Sequence, residues 1–256
     1  VIVVGGGNVA IDVARSSLRL PWKGEGQREV HLVCLETREE MPAFKEEVAE
    51  AIEEGVLIHH SLGIKRIIAK DNAVSGIETM SVASVFDANG KFNPSFIPDS
   101  EGFFPADTLI LSVGQAPDLS FLPPDSNLER TKWETLVVNQ NTLATNIPGI
   151  FAGGDFVTGP TYIIESIAAG RRAAAAIDKY LCGDTSPIVF VDEREHLHHA
   201  VMEEELKDVE EEKPRVKMPL APAEDRIHDF REIELGFTEE KAREEAKRCL
   251  RCDLER

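Results

Sequence analysis

The sequence predicts an α/β protein organised around a parallel sheet, and three observations carry that prediction. Val1-Ile2-Val3-Val4 is an uninterrupted β-branched run, the pattern of a strand buried on both faces. Gly5-Gly6-Gly7 turns the chain, and Val9, Ala10, Val13, Ala14, Ser17 and Leu18 then recur at helical spacing, so residues 8–20 make a helix with a small apolar face. Two further strand patterns, 30–35 and 56–59, flank a helix that starts at Pro42 and runs to about Glu54, with Gly55 as its C-terminal cap. Strand, helix, strand, helix, strand is the half-unit of a Rossmann-like, three-layer nucleotide-binding domain.

The pattern then changes. Residues 64–69 and 76–86, joined by a polar turn at Asp71-Asn72, read as an antiparallel insertion, followed by loop-like sequence to Phe104. Residues 108–113 return to a buried strand and end at Gly114-Gln115-Ala116-Pro117, a turn of the kind that marks a chain leaving a domain. Short strands from Leu136 lead to Gly153-Gly154-Asp155, and a long helix spans roughly 161–181. Beyond residue 184 there is no pattern of an independent core. That mostly helical tail has an acidic helix over 195–212, a proline-punctuated linker over 213–222, and a helix over 239–248 capped by Thr238. The expected domains are thus 1–113, 114–183 and 184–256.

Lys and Arg number 28 against 46 Asp and Glu, a formal charge of −18. Such a surface repels nucleic acid and anionic membrane. The 22 acidic and 13 basic residues from Asp184 to Arg256 give −9, half of the excess. Apolar runs are too short to span a bilayer. No signal-peptide pattern opens the chain, so a cytoplasmic setting is expected. The chain opens at Val1 inside a strand, so further sequence is expected upstream. Four cysteines are no disulfide scaffold; Cys34 and Cys182 read as packing residues.

Gly5-Gly6-Gly7-Asn8-Val9-Ala10 fits G-x-G-x-x-G/A between a strand and a helix, the context that the pattern needs. The first glycine allows the tight turn and the second lets a pyrophosphate approach the backbone. The small third residue lets the helix pack close to the sheet, and free N–H groups at its start face the phosphates. Gly5, Gly7, Asn8, Val9 and Ala10 are therefore candidate cofactor-binding residues. At the end of the second strand, in Val33-Cys34-Leu35-Glu36-Thr37-Arg38, Glu36 is placed to accept hydrogen bonds from the ribose hydroxyls of NAD. A carboxylate there would repel the added phosphate of NADP, whereas Arg38 is of the type that favours it. The carboxylate tips the expectation toward NAD(H).

These segments, with PADTLILSVGQAPD at 105–118 and TNIPGIFAGGDFVTGPTYIIESIAAGRRAA at 145–174, resemble the glutamate synthase small-subunit-like flavoproteins. TREEMPAFKEEV at 37–48 extends the likeness, which covers nearly all of 1–183. The resemblance implies that 1–113 binds the nicotinamide dinucleotide and that 114–183 is the C-terminal half of an FAD-binding domain. It implies that Asp155 hydrogen-bonds the ribityl-phosphate region of FAD and that the following helix aims its N-terminus at the flavin. Gly153, Gly154, Thr161 and Tyr162 would line that site, and Gly114 and Gln115 are counted with them. Two departures stand out. Family members that use NADP carry paired arginines where this chain has Leu35-Glu36. The family's first glycine fingerprint, which holds the ADP part of FAD, is absent, so another segment or chain must supply it.

Cys249-Leu250-Arg251-Cys252 is a C-x-x-C pair, half of an iron–sulfur or zinc site, or a dithiol redox pair. In the resembling family a stretch such as GFTEEKAREEAKRCLRC leads into a [4Fe–4S] module, which here would need cysteines from outside this chain. His196, His198 and His199 read as a solvated face. The expected function is transfer of electrons from NADH through FAD to iron–sulfur centres or a redox partner subunit, within an oligomer or complex. The competing readings are a non-catalytic nucleotide-binding scaffold subunit and a dithiol reductase using Cys249 and Cys252.

Overall fold

The computed structural model describes residues 1–21, 28–123, 125–184, 186 and 214–248. The chain divides into two compact units: residues 1–113 with the described part of 211–256, and residues 114–210. The boundary falls between Val113 and Gly114, and described residues 214–248 belong with the first 113.

In the first unit, strands β1 (Ile2–Val4), β2 (His31–Val33), β3 (Leu57–His59) and β8 (Leu109–Leu111) form a parallel sheet in the order β3-β2-β1-β8. Helices α1 (Asn8–Arg19) and α2 (Lys45–Glu54) cover one face. There Val3, Ile11, Ala14, Leu32, Val48 and Ala51 are buried together. The other face carries Ile2 and Val33 and is closed by Ile77 of the antiparallel layer rather than by helices. That layer holds β4 (Leu62–Lys70), β5 (Ala73–Phe86), β6 (Phe92–Phe96) and β7 (Gly102–Pro105), with β5 paired to all of the others. Asp71 and Asn72 adopt φ of +50° and +62° between β4 and β5, which Asp and Asn tolerate in a hairpin turn.

Some elements differ from expectation for tertiary reasons. Helix α2 begins at Lys45, not Pro42, because the Ala43 N–H donates to the Gly6 carbonyl at 3.1 Å and the Phe44 N–H to Asn8 Oδ1 at 2.8 Å. Gly55 caps it as expected, at φ +103°. Strands β6 and β7 lie in sequence that reads as loop, since Asn93-Pro94-Ser95 interrupts the pattern of β6; proline is tolerated on such a strand only at an edge.

In the second unit, the stretches that read as strands make only the isolated bridges Arg130↔Leu136 and Ala144↔Phe151 among the described residues. Its elements are α3 (Asp155–Thr158) and α4 (Ile163–Cys182), the latter close to the expected long helix and capped by Gly183 at φ +69°. Val138 and Leu143 pack against Ala169 on the inner side of α4, while Ile163, Ile164 and Ile167 of the same helix are exposed. Cys182 is exposed at the end of α4, not a packing residue, because the helix turns that position outward; Cys34 is buried. No helix among the described residues is long and apolar enough to cross a membrane.

Helices α1 and α2 are also joined by charge. Glu54, with no exposed side-chain surface, accepts hydrogen bonds from Arg15 at 2.8 Å and Arg19 at 2.9 Å, and Arg15 also reaches Glu47 and Glu50. Burial alone pushes the Glu54 carboxyl up, but the bonds and charges of Arg15 and Arg19 outweigh it and hold the group below the usual range. A folded-state pKa lowered in this way contributes stability above the unfolded value of about 4.3, and that contribution is lost as pH falls through the folded value. Glu54→Gln is expected to cost about 3–5 kcal/mol at pH 7, because a buried ion cluster loses its central anion. Urea unfolding of the two proteins at pH 7 and in mild acid checks this: the gap should narrow as the pH drops below about 4.

Candidate functional site

The glycine turn lies where β1, β8 and α1 meet. Gly5 sits at φ +139°, and its N–H donates to the Val33 carbonyl at 2.9 Å. A Cβ on Gly5 would lie 2.3 Å from the Ser112 carbonyl oxygen, just past β8, and 3.4 Å from the Ala10 methyl. Only glycine fits there, and only a small residue fits at Ala10, which is fully buried. Gly6 is crowded from the other side, where a Cβ would lie 2.6 Å from Glu36 Oε2. Glu36, from the end of β2, therefore lays its carboxylate directly against the turn.

Gly7 differs from both. It is the N-cap of α1 at φ −91°, with no side-chain cap bond, and a Cβ added to it meets nothing within 4 Å. The space in front of the α1 N-terminus is open, and the first turn contains no acidic residue to oppose its positive end. Val9 faces outward at this mouth, 66% exposed. The Asn8 side chain is committed elsewhere, holding the Phe44 N–H and so folding the segment before α2 over the turn.

The walls beyond Glu36 are polar but largely uncharged. Burial, and then the neighbouring Glu36 charge, pushes the Cys34 thiol up to about 12. Its sulfur lies 3.6 Å from His60 Nδ1. Burial, then the Arg38 charge, lowers the His60 pKa, against smaller opposing effects of Glu39 and Glu36. At neutral pH both side chains are neutral, and the charged residues of this loop are half-buried Glu36 with exposed Arg38, Glu39 and Glu40. Gly5, Gly7, Asn8, Val9, Ala10 and Glu36 thus converge, with Arg38 two residues along the same loop. Sequence reasoning missed Cys34 and His60 as lining, since His60 enters from beyond β3 and no local pattern links it to Gly6.

In the second unit, Gly154 is the N-cap of α3 at φ +64° and Asp155 is the first residue of that helix, exposed. A Cβ on Gly153 would lie 3.1 Å from the Ala169 methyl, and one on Gly154 3.1 Å from Ser166 Oγ. The two glycines are what let this loop lie against α4. Thr161 and Tyr162, both exposed, precede α4, with Tyr162 as its N-cap. Gly114 and Gln115 are exposed where the second unit begins, Gly114 at φ +96°. Cys249, Cys252 and the histidines at 196, 198 and 199 lie outside the described residues. Among the described residues no three His, Cys, Asp or Glu side chains cluster to hold a metal ion.

Residues 1–203 match the pyridine nucleotide-disulphide oxidoreductase family. The chain belongs to that family. Over 260 residues it is 42% identical to the NADP(+)-dependent formate dehydrogenase subunit beta of Moorella thermoacetica, covering 98% of this chain and 35% of that protein. It is 34% identical over 287 residues to the NADPH-Fe(3+) oxidoreductase subunit beta of Geobacter sulfurreducens, covering 98% of this chain and 41% of that one. The glutamate synthase [NADPH] small chain of Azospirillum brasilense is 35% identical over 182 residues, 70% of this chain and 36% of that one. The chain thus spans well under half the length of these relatives. Among solved structures, FprA from Mycobacterium tuberculosis superimposes with a TM-score of 0.57 at 17% identity, over 77% of this chain and 56% of that one. Thioredoxin reductase from T. acidophilum does so with a TM-score of 0.54 at 21% identity, over 71% and 52%. Both likenesses establish the fold.

The crowding at the three glycines separates structure from ligand binding. Gly5→Ala is expected to lose about 2 kcal/mol or more, because strained φ adds to a backbone clash. Gly7→Ala should unfold at the wild-type urea concentration yet bind nicotinamide dinucleotide about tenfold more weakly, a loss of about 1.4 kcal/mol. Urea unfolding with titration calorimetry on both variants checks the pair.

Proposed function

We propose that this chain is the nicotinamide-binding part, with one half of the flavin site, of an FAD-dependent oxidoreductase that passes electrons from NADH to iron–sulfur centres or a redox partner subunit. The observation that carries the reading is the open space at Gly7, faced by an uncapped helix start and bordered by the Glu36 carboxylate. An uncapped helix start suits a phosphate anion, and a carboxylate at the strand end suits a ribose diol.

The nicotinamide and flavin rings supply the hydride chemistry when bound. The work left to this chain is binding and orientation. Gly5 and Gly6 keep the backbone of the turn accessible, and α1 offers its N–H groups to the dinucleotide phosphates. Glu36 accepts from the ribose hydroxyls. Neutral Cys34 and His60 line the wall without competing for the phosphates, and Ala43 and Phe44 hold the covering segment in place. In the second unit, Asp155 and the N-terminus of α4, with Gly153, Gly154, Thr161 and Tyr162 around them, are assigned to FAD. Gly114 and Gln115 are assigned to the cofactor site at the start of that unit. The remainder of the flavin site comes from another segment of the polypeptide or another chain. Cys249 and Cys252 are assigned to a cluster completed from outside this chain.

The names of the Moorella, Geobacter and Azospirillum relatives carry NADP(H), not NAD(H). The proposal of NAD(H) for this chain rests on Glu36, whose carboxylate would meet the added phosphate of NADP(H) as a like charge. Binding of NADH and NADPH to the full-length protein decides it. Tighter NADH binding, with preference shifted toward NADPH by about tenfold or more in Glu36→Arg, supports the assignment. Equal or tighter NADPH binding by the wild type overturns it and leaves the dinucleotide site standing. For the electron path, the full-length protein should show flavin absorption near about 450 nm that NADH bleaches. A colourless protein that still binds NADH would mark a scaffold subunit instead.

A further inference from the structure

Residues 214–248 are rich in charge and poor in apolar burial, yet they fold onto the first unit. Among described residues 214–248, only Ala221 and Arg226 are buried. The segment closes on itself: the Ala221 N–H donates to the Ile233 carbonyl at 2.9 Å, the Leu235 N–H to the Pro219 carbonyl at 2.9 Å, and the Val216 N–H to Glu245 Oε2 at 2.8 Å. Between residues 221 and 233 lies the one-turn helix α5 (Ala223–Arg226), and beyond them α6 (Glu239–Ala246), whose N-cap Thr238 accepts from the Lys241 N–H as the sequence predicts.

Arg226 closes α5, and its side chain is 1% exposed. Its Nη2 donates to Glu53 at 2.7 Å, and its Nε lies 3.0 Å from Glu54 Oε1 as an ion contact without hydrogen-bond geometry. Arg226 is thus the third guanidinium on Glu54, beside Arg15 and Arg19 of α1. Nearby, Ile233 and Glu234 wall a polar cleft against Arg15, Arg19, Glu47 and Glu50.

We propose that residues 214–248 form a strap, that Arg226 is the pin fixing it to the nucleotide-binding unit, and that the chain therefore enters the Cys249-Leu250-Arg251-Cys252 pair tethered to that unit. Calling the unit nucleotide-binding rests on the proposed function; the pin itself does not. The attachment relies on a buried charge because the segment lacks the apolar side chains to hold by burial. Glu54 is already neutralised by Arg15 and Arg19, so the cluster survives without Arg226. Loss of Arg226 should release the strap without unfolding the sheet.

Hydrogen exchange on the full-length protein tests this, with Arg226→Met to match the side chain's bulk without its charge, and Arg226→Lys to restore the charge without the fork. In Arg226→Met, exchange across 216–235 should rise by about tenfold or more while α1, β1 and β2 keep wild-type protection, and Arg226→Lys should recover part of the loss. Unchanged exchange across 216–235 in Arg226→Met overturns the proposal. So does loss of protection throughout α1, β1 and β2 in both variants, which would make Arg226 a core residue of the unit. Neither readout needs bound dinucleotide, so failure of the strap and failure of the proposed function are read separately.

Discussion

A carboxylate shut away from water must be surrounded by cations, and Glu54 imposes that condition on the first unit. It draws Arg15 and Arg19 from α1 and Arg226 from the far end of the chain to one point on α2. The apolar core under α1 and α2 places the helices on the sheet, but it is non-directional and does not fix their register. The ion cluster does, because guanidinium and carboxylate meet only in narrow geometries. Since α1 starts at the glycine turn, the angle at which its N-terminus faces the open space is set partly by charges at its other end.

At that turn, three glycines in a row perform three different tasks. Gly5 is fixed by a neighbouring strand's backbone and Gly6 by a carboxylate, while Gly7 is limited by nothing in the protein. The first two requirements are structural, and for the third the proposed dinucleotide would supply the constraint that the protein does not. The free space beside the helix start, next to an acid from the adjoining strand, is the feature on which the proposed dinucleotide site rests.

Much of this was legible in the sequence because it depends on local pattern. The β-branched run of β1, the helical spacing of α1, Gly55 past α2, Asp71-Asn72 between β4 and β5, and Thr238 before α6 each act within a few residues of where they stand. Glu36 was legible because strand ends are predictable from strand starts. The remainder depends on partners remote in sequence. The start of α2 is delayed by bonds to Gly6 and Asn8 that no helix signal near residue 42 encodes. Strands β6 and β7 exist because β5 is long enough to pair with both. The contact of Arg226 with Glu53 spans 173 residues, and one arginine among many in an acidic tail gives no sign of it. The complementary stripes are nonetheless written in the sequence: Arg15 and Arg19 follow Ile11 at helical spacing on α1, and Glu47, Glu50 and Glu54 share one face of α2.

The sulfur of Cys34 sits within the wall of the candidate dinucleotide site with a thiol pushed up to about 12. At neutral pH the buried thiol stays protonated, whereas thiolate is the form that attacks peroxides and disulfides. The site consequently holds a spectator sulfur: close to where a reducing cofactor would lie, yet inert toward the oxidants that redox proteins meet. Cys34 is thus a packing sulfur of this wall, as its burial in the core under α1 and α2 also indicates.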